Sequence, residues 1–165
     1  MCKRVVLVFI TLLMLGGICH ASNDRFVYLG TSNSVGQYYF DTESLKFGRG
    51  ADGKIDPYMI DVWIKVVYSD SGKQMFLNNL IKYKSSTKEY EDIHHNLGHY
   101  LIDVRNRKHQ LLGYSFYSSE GHIATWPMND PVWLDMVPAS TMETNAGLIG
   151  NWILKNMDTI YRRST

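Results

Sequence analysis

Beyond residue 21 the chain has no cysteine, because its two, Cys2 and Cys19, both lie near the start. A domain without them has no disulfide, no thiolate nucleophile and no thiolate metal ligand. Prolines number only four, and there is no low-complexity tract, internal repeat or linker-like stretch that would divide the chain. Charge of one sign is also lacking. Without Lys3 and Arg4 the seventeen basic residues fall to fifteen against sixteen acidic ones, a formal charge of −1. That balance excludes the broad electrostatic footprint of a nucleic-acid binder. The basic clusters Arg105/Arg107/Lys108 and Arg162/Arg163 are short, and they read as a solvated turn and a frayed tail.

Long apolar runs are scarce too, and the one present is at the start. Lys3 and Arg4 precede an apolar stretch from Val5 to Leu15 broken only by Thr11; Gly16 and Gly17 follow, then Cys19-His20-Ala21. This is the three-part pattern of a secretory signal peptide, expected to span 1–21 with cleavage after Ala21. A membrane-spanning helix needs about 20 apolar residues, and the fourteen from Val5 to Ile18 fall short. A retained anchor and a lipid on Cys19 are the alternatives, and the latter lacks a well-placed lipobox leucine. The expected product is exported to the periplasm, the cell surface or the medium, as one domain over 22–165 with no membrane span. Its 144 residues suffice for one good core.

What the chain does have is aromatic residues, eleven Tyr and four Trp among them, which suit strands. Arg25–Gly30 and Gln37–Phe40 read as the first two strands, with a turn over Thr31–Gly36. Asp41-Thr-Glu-Ser44 and Arg49–Gly53 read as turns. Tyr58–Tyr68 is the strongest strand. Ile60, Val62, Ile64, Val66 and Tyr68 form a wholly apolar face, while Met59, Asp61, Trp63, Lys65 and Val67 form a mixed one. Met75, Phe76, Leu80 and Tyr83 recur at helical spacing, predicting a helix over 72–83 capped by Asp70 or Ser71. Tyr100–Asn106, with Tyr100, Ile102 and Val104 inward, then Gln110–Ser118 and His122–Trp126 complete an antiparallel meander. Ser140-Thr-Met-Glu143 is a capping box, its carboxylate placed to reach back to the cap N–H. Met142, Ala146, Ile149 and Ile153 then run down one helix face beside Trp152. The fold class expected is α+β: a curved antiparallel sheet of about six strands, a C-terminal helix packed on one face and a shorter helix after the third strand.

Four segments in order carry a resemblance: Tyr39-Phe-Asp-Thr-Glu-Ser44, Asp61-Val-Trp-Ile-Lys65, Tyr114-Ser-Phe-Tyr-Ser-Ser-Glu-Gly121, and Trp133-Leu-Asp-Met-Val-Pro-Ala-Ser140 followed by Glu143. Together they resemble the surface-adhesin protein E family, over roughly Phe26 to Ile153. The motif positions are Asp41, Ser44, Trp63, Gly121, Trp133, Pro138, Ser140 and Glu143. The resemblance implies a bacterial exported domain displayed at the surface or envelope, adhesin-like in binding host matrix or serum proteins, and able to form a homodimer. Two features depart from the family. The adhesin's cysteine staple has no counterpart here, and Pro138 is followed by Ala139 where the family has glycine.

Catalytic patterns are absent. There is no G-x-S-x-G elbow, and Gly48-Arg-Gly50 is not a phosphate loop, since no helix opening with Lys-Ser/Thr follows it. No catalytic residue or cofactor is therefore assigned, and a non-enzymatic role is expected. The one cluster inviting a metal is His94, His95 and His99, with Glu91 and Asp92 just before. Gly98 argues against a helix there, and on a strand four residues span roughly 13 Å, too far for one ion to bridge. A solvated turn or strand edge is the plainer reading. Trp126 to Trp133 reads as a loop pinned by Trp133 under the helix, with an exposed aromatic contact surface as the alternative. The function expected is an exported envelope or surface module that binds a protein partner, a host matrix or envelope component, through an exposed sheet face or loops. The alternative is a periplasmic small-ligand or metal-binding domain.

Overall fold

A computed structural model describes residues 25–165, and the expected signal peptide lies outside them. Its backbone is organised around one long strand. β4 (Ile55–Tyr68) has fourteen residues, more than any neighbour can match, so its outer edge is shared. β2 (Gly36–Asp41) pairs with its C-terminal half and β3 (Lys46–Arg49) with its N-terminal half. β1 (Phe26–Ser32) lies outside β2. On the other side follow β5 (Ile93–Asp103), β6 (Lys108–Ser118) and β7 (His122–Pro127). β8 (Leu134–Asp135) pairs with the residues of β6 that β7 leaves free. All pairings are antiparallel, in the order β1-β2-β4-β5-β6-β7 with β3 on β4 and β8 on β6. The sheet thus has eight strands, not about six. β3 and β8 are too short, at four and two residues, for alternation to reveal them.

The first helix among the described residues, α1 (Asp70–Lys82), consequently follows the fourth strand. Its cap is Ser69, whose hydroxyl accepts the Gly72 N–H at 3.2 Å, rather than Asp70 or Ser71. The inward stripe is Phe76, Leu77 and Leu80, while Met75 and Tyr83 are exposed. A short 3-10 turn, Lys88–Tyr90, brings Tyr90 under that helix. The C-terminal helix α2 (Thr141–Lys155) starts where the capping box places it, with the Ser140 hydroxyl accepting the Glu143 N–H. The carboxylate return differs: Glu143 Oε2 accepts the N–H of Ala139 at 2.7 Å, because the Ser140 N–H already bonds to Val137 O.

Helical structure resumes after a break at Asn156. α3 (Met157–Ser164) occupies the segment expected to be a frayed tail. The reason lies in β3, an edge strand with an outward N–H to satisfy. Ser164 Oγ accepts the Phe47 N–H at 2.7 Å and donates to Ile160 O, and Ile160 is fully buried. The Arg163 guanidinium donates to Thr42 O.

Ile60, Val62 and Ile64 alternate onto one face and pack with Ile149, Ile153 and Ile160. Tyr68, of the same parity, and Phe116 pack with Phe76 and Leu80. All three helices among the described residues therefore cover the same face of the sheet. Each large side chain buried there contributes roughly 1.5–3 kcal/mol. Ile102 joins this core as expected, but Val104 lies beyond the end of β5 and is exposed. Trp133 is not pinned under the helix. It is 40% exposed, and Met136 enters the core in its place.

Candidate functional site

Asp41, Ser44, Gly121 and Pro138 lie at turns and at the entry to α2. Asp41 is buried, accepts from the Arg25 guanidinium at 2.9 Å, and takes the Glu43 N–H at 3.0 Å in a local turn. Ser44 Oγ donates to Asp41 O at 2.9 Å and accepts the Trp63 N–H at 3.1 Å, tying that turn to β4. Gly121, at φ 147°, closes the β6–β7 hairpin, where Ser118 Oγ accepts the N–H groups of Glu120 and Gly121. Pro138 precedes Ala139, which adopts φ 60°, a left-handed conformation that a glycine would take without strain.

The face opposite the helices is different. Among the described residues no helix packs on it, and its side chains meet neighbours across and along the strands. Register sets Trp63 beside His99, and their rings stack at 4.7 Å and 6°. His99 Nε2 is 2.7 Å from Asp61 Oδ1, and Lys46 Nζ lies 3.5 Å from the same carboxylate. Toward the β7 edge His95 stacks on Tyr117 at 4.8 Å and 2°, with His122 against the other side of that ring. Toward the β1 edge Tyr28 meets Tyr39 edge-on, and Lys65 Nζ sits 4.9 Å above Phe26. The result is a band of half-buried aromatic rings with charged groups between them, crossing the sheet from edge to edge.

The three histidines belong to this band. They sit within a central strand, not at a turn or a strand edge. A register shift between Ile93 and His95 makes His94 a bulged residue, which brings His94 Nδ1 to 3.1 Å from His95 Nδ1. His99 is four residues further along and engages Asp61 instead. Among the described residues no three His, Cys, Asp or Glu side chains converge as metal ligands would. Burial, with Lys65 and His94 nearby, pushes the His95 imidazole down to about 4, so it is neutral at neutral pH.

Beside α2 lies a second feature that sequence reasoning missed. An apolar groove of about 670 Å³ runs between the helix, Tyr58 and Val104. Gly147 and Gly150 line it, and a methyl group on either would meet nothing. The ion pair of Arg107 with Glu143 stands among its lining residues. Its one sequence signal was the pair of glycines within an otherwise amphipathic helix. Trp126, for its part, packs on Phe116 at 4.5 Å and near Tyr90, so the Trp126–Trp133 connection is anchored at its first tryptophan.

No known family matches the chain, and no curated protein does. Among solved structures, protein E from non-typeable Haemophilus influenzae is similar at 15% identity, covering 80% of this chain and 79% of that one with a TM-score of 0.47. A second crystal form of Haemophilus influenzae protein E is similar at 16% identity, covering 76% and 87%, with a TM-score of 0.49. Likeness at that level carries no inference about partners or activity.

Proposed function

We propose that the chain is a non-enzymatic binding module, exported to the envelope or surface, that engages a protein partner with the uncovered face of its sheet. One observation carries this reading. Among the described residues, the face bearing Tyr28, Tyr39, Trp63, His99 and Tyr117 has nothing packed on it, although aromatic side chains of this kind favour burial. Interface cores are enriched in Tyr and Trp, and here both are held in fixed geometry by cross-strand stacking, so little ordering entropy remains to be lost on binding. Envelope or host matrix proteins, and a second copy of the chain, are the partners this reading anticipates. No helix among the described residues is long and apolar enough to cross a membrane.

The test is saturable binding of the processed full chain to purified matrix proteins and to envelope fractions. Binding at micromolar or tighter affinity is expected, and Trp63→Ala should weaken it by about tenfold or more, as for an interfacial aromatic anchor. Melting curves on the variant separate lost contact from lost fold. Absence of any saturable partner, or binding indifferent to Trp63→Ala and Tyr39→Ala, would refute the reading.

A second reading, a small-ligand domain without catalysis, is favoured by the groove beside α2. Its volume falls within the roughly 300–1,000 Å³ usual for ligand pockets. The metal version has no such support, because the histidines do not converge.

A further inference from the structure

The helix layer leaves a gap between β1 and the start of α2. A cavity of about 200 Å³ opens there, lined by Thr31, Ser32, Tyr38, Thr141, Thr144 and Asn145 among others. The chemistry on offer is narrow: hydroxyls, one carboxamide, one aromatic ring and the N-terminal end of a fifteen-residue helix, beside the apolar Leu29 and Ala139. None of the described lining residues is Asp, Glu, Lys, Arg or His.

Asn145 is the informative residue. It is only 4% exposed, yet its carboxamide has no hydrogen-bond partner among the described residues and opens onto the cavity. Its polar atoms are not sealed in the core, where Asn96 Oδ1 and His109 Nδ1 are the buried atoms left without a partner among the described residues, but reach the cavity, so a molecule held there can satisfy them. Tyr38 links this cavity to more chemistry of the same kind. Tyr100 and Tyr114 place their hydroxyls 3.4 Å apart over Gly98, where a β-carbon would come within 2.6 Å of the Tyr100 ring. Tyr68 accepts a hydrogen bond from Asn96 at 2.7 Å, while Asn96 Oδ1 is buried without a partner. Burial holds Tyr38, Tyr68 and Tyr100 protonated, so they remain neutral donors and acceptors.

A helix N-terminus ordinarily attracts an anion. Here the Glu143 carboxylate already occupies that end through the Ala139 N–H, and no cationic side chain lines the cavity. A charged ligand is therefore disfavoured, and a hydrocarbon would leave the hydroxyls and the carboxamide of a half-polar lining without partners. The volume equals roughly six or seven waters at about 30 Å³ each, which is of the order of one monosaccharide. We propose that this cavity binds one sugar unit of a neutral glycan, with Asn145 and the threonine hydroxyls bonded to its hydroxyls and the Tyr38 ring against its C–H face. The site lies on the face opposite the aromatic band, so either proposal can fail without the other.

The experiment exposes the full processed chain separately to glucose, galactose, mannose and N-acetylglucosamine at millimolar concentration, with inorganic phosphate as the charged control. Saturation-transfer NMR and melting temperature are the readouts. At least one neutral sugar should receive saturation and raise the melting temperature, and phosphate should neither bind nor compete. Asn145→Leu should weaken the sugar by about tenfold while leaving the sugar-free melting temperature unchanged or higher, since the carboxamide faces the cavity and makes no hydrogen bond to the described residues. A merely structural Asn145 would instead lower it. Should Asn145→Leu fail to fold, Thr141→Val, which keeps shape and deletes one hydroxyl, must weaken the same sugar. No signal from any of the four sugars, equal affinity in the folded variants, or displacement by phosphate would overturn the proposal.

Discussion

Glu143 reaches back four residues to hold the N–H of Ala139 at 2.7 Å, and Ala139 sits at φ 60°. The carboxylate thus fastens a residue whose own side chain opposes its conformation. A left-handed L-residue costs roughly 1–2 kcal/mol, and glycine avoids that at some expense in unfolded-state entropy. Ala139→Gly should therefore stabilise the protein by about 1 kcal/mol, which raises Tm by roughly 2–4 °C in a domain of this size. Calorimetry checks it, and an unchanged or lower Tm would refute the strain.

The same junction ranks three side chains. Ser140→Ala should cost about 1 kcal/mol, as for a lost N-cap. Glu143→Ala should cost a similar amount because the Ala139 N–H loses its acceptor. Arg107→Ala should cost less than either, since its pair with Glu143 is largely exposed and such pairs contribute about 0–1 kcal/mol. Urea unfolding of the three variants gives the order directly, and an Arg107→Ala loss equal to that of Glu143→Ala would contradict it.

α3 is expected to act as part of the fold. Ile160 is fully buried against β3, so Ile160→Ala should cost about 2–5 kcal/mol. Ser164→Ala strands the buried-side Phe47 N–H and should cost about 1–3 kcal/mol. Hydrogen exchange at Phe47 should accelerate in Ser164→Ala. Wild-type exchange and stability in both variants would mean that the tail is not docked.

His95 gives the stability a pH dependence. Its folded value of about 4 lies below the ordinary 6.5, because it is partly buried against Tyr117 and faces Lys65 and His94. In the unfolded chain it takes up a proton near pH 6.5, and in the folded chain only near 4. Stability should therefore be full above pH 6.5 and decline as pH falls toward 4. His109, shifted down by burial, acts in the same direction. His95→Gln should flatten the decline in melting temperature across that window, and an identical profile would show that another group is responsible.

Legibility followed the range of the forces involved. β4 and the start of α2 were readable because alternation and the capping box are written within a few consecutive residues. The short strands were not, since Lys46–Arg49 is a strand only because β4 outruns β2 and leaves an edge to pair. His94 to His99 read as a solvated turn or strand edge, with Gly98 arguing against a helix, yet that glycine makes room for Tyr100 and Tyr114 in a central strand. Asn145 carries no signal in the sequence, because only the docking of α2 beside β1 buries it at the edge of a cavity.

Residue chemistry acting over one or two turns of chain dictated the apolar face of β4, the Asp41–Ser44 turn, the hairpin at Gly121 and the helix beginning after Ser140. Contacts between residues far apart in the chain decided the rest: that the three described helices share one face, that Trp63 stacks on His99, and that Ser164 seals the edge at Phe47. Cross-strand register and helix docking minimise the free energy of the whole set of pairings together, so no short window of sequence contains them.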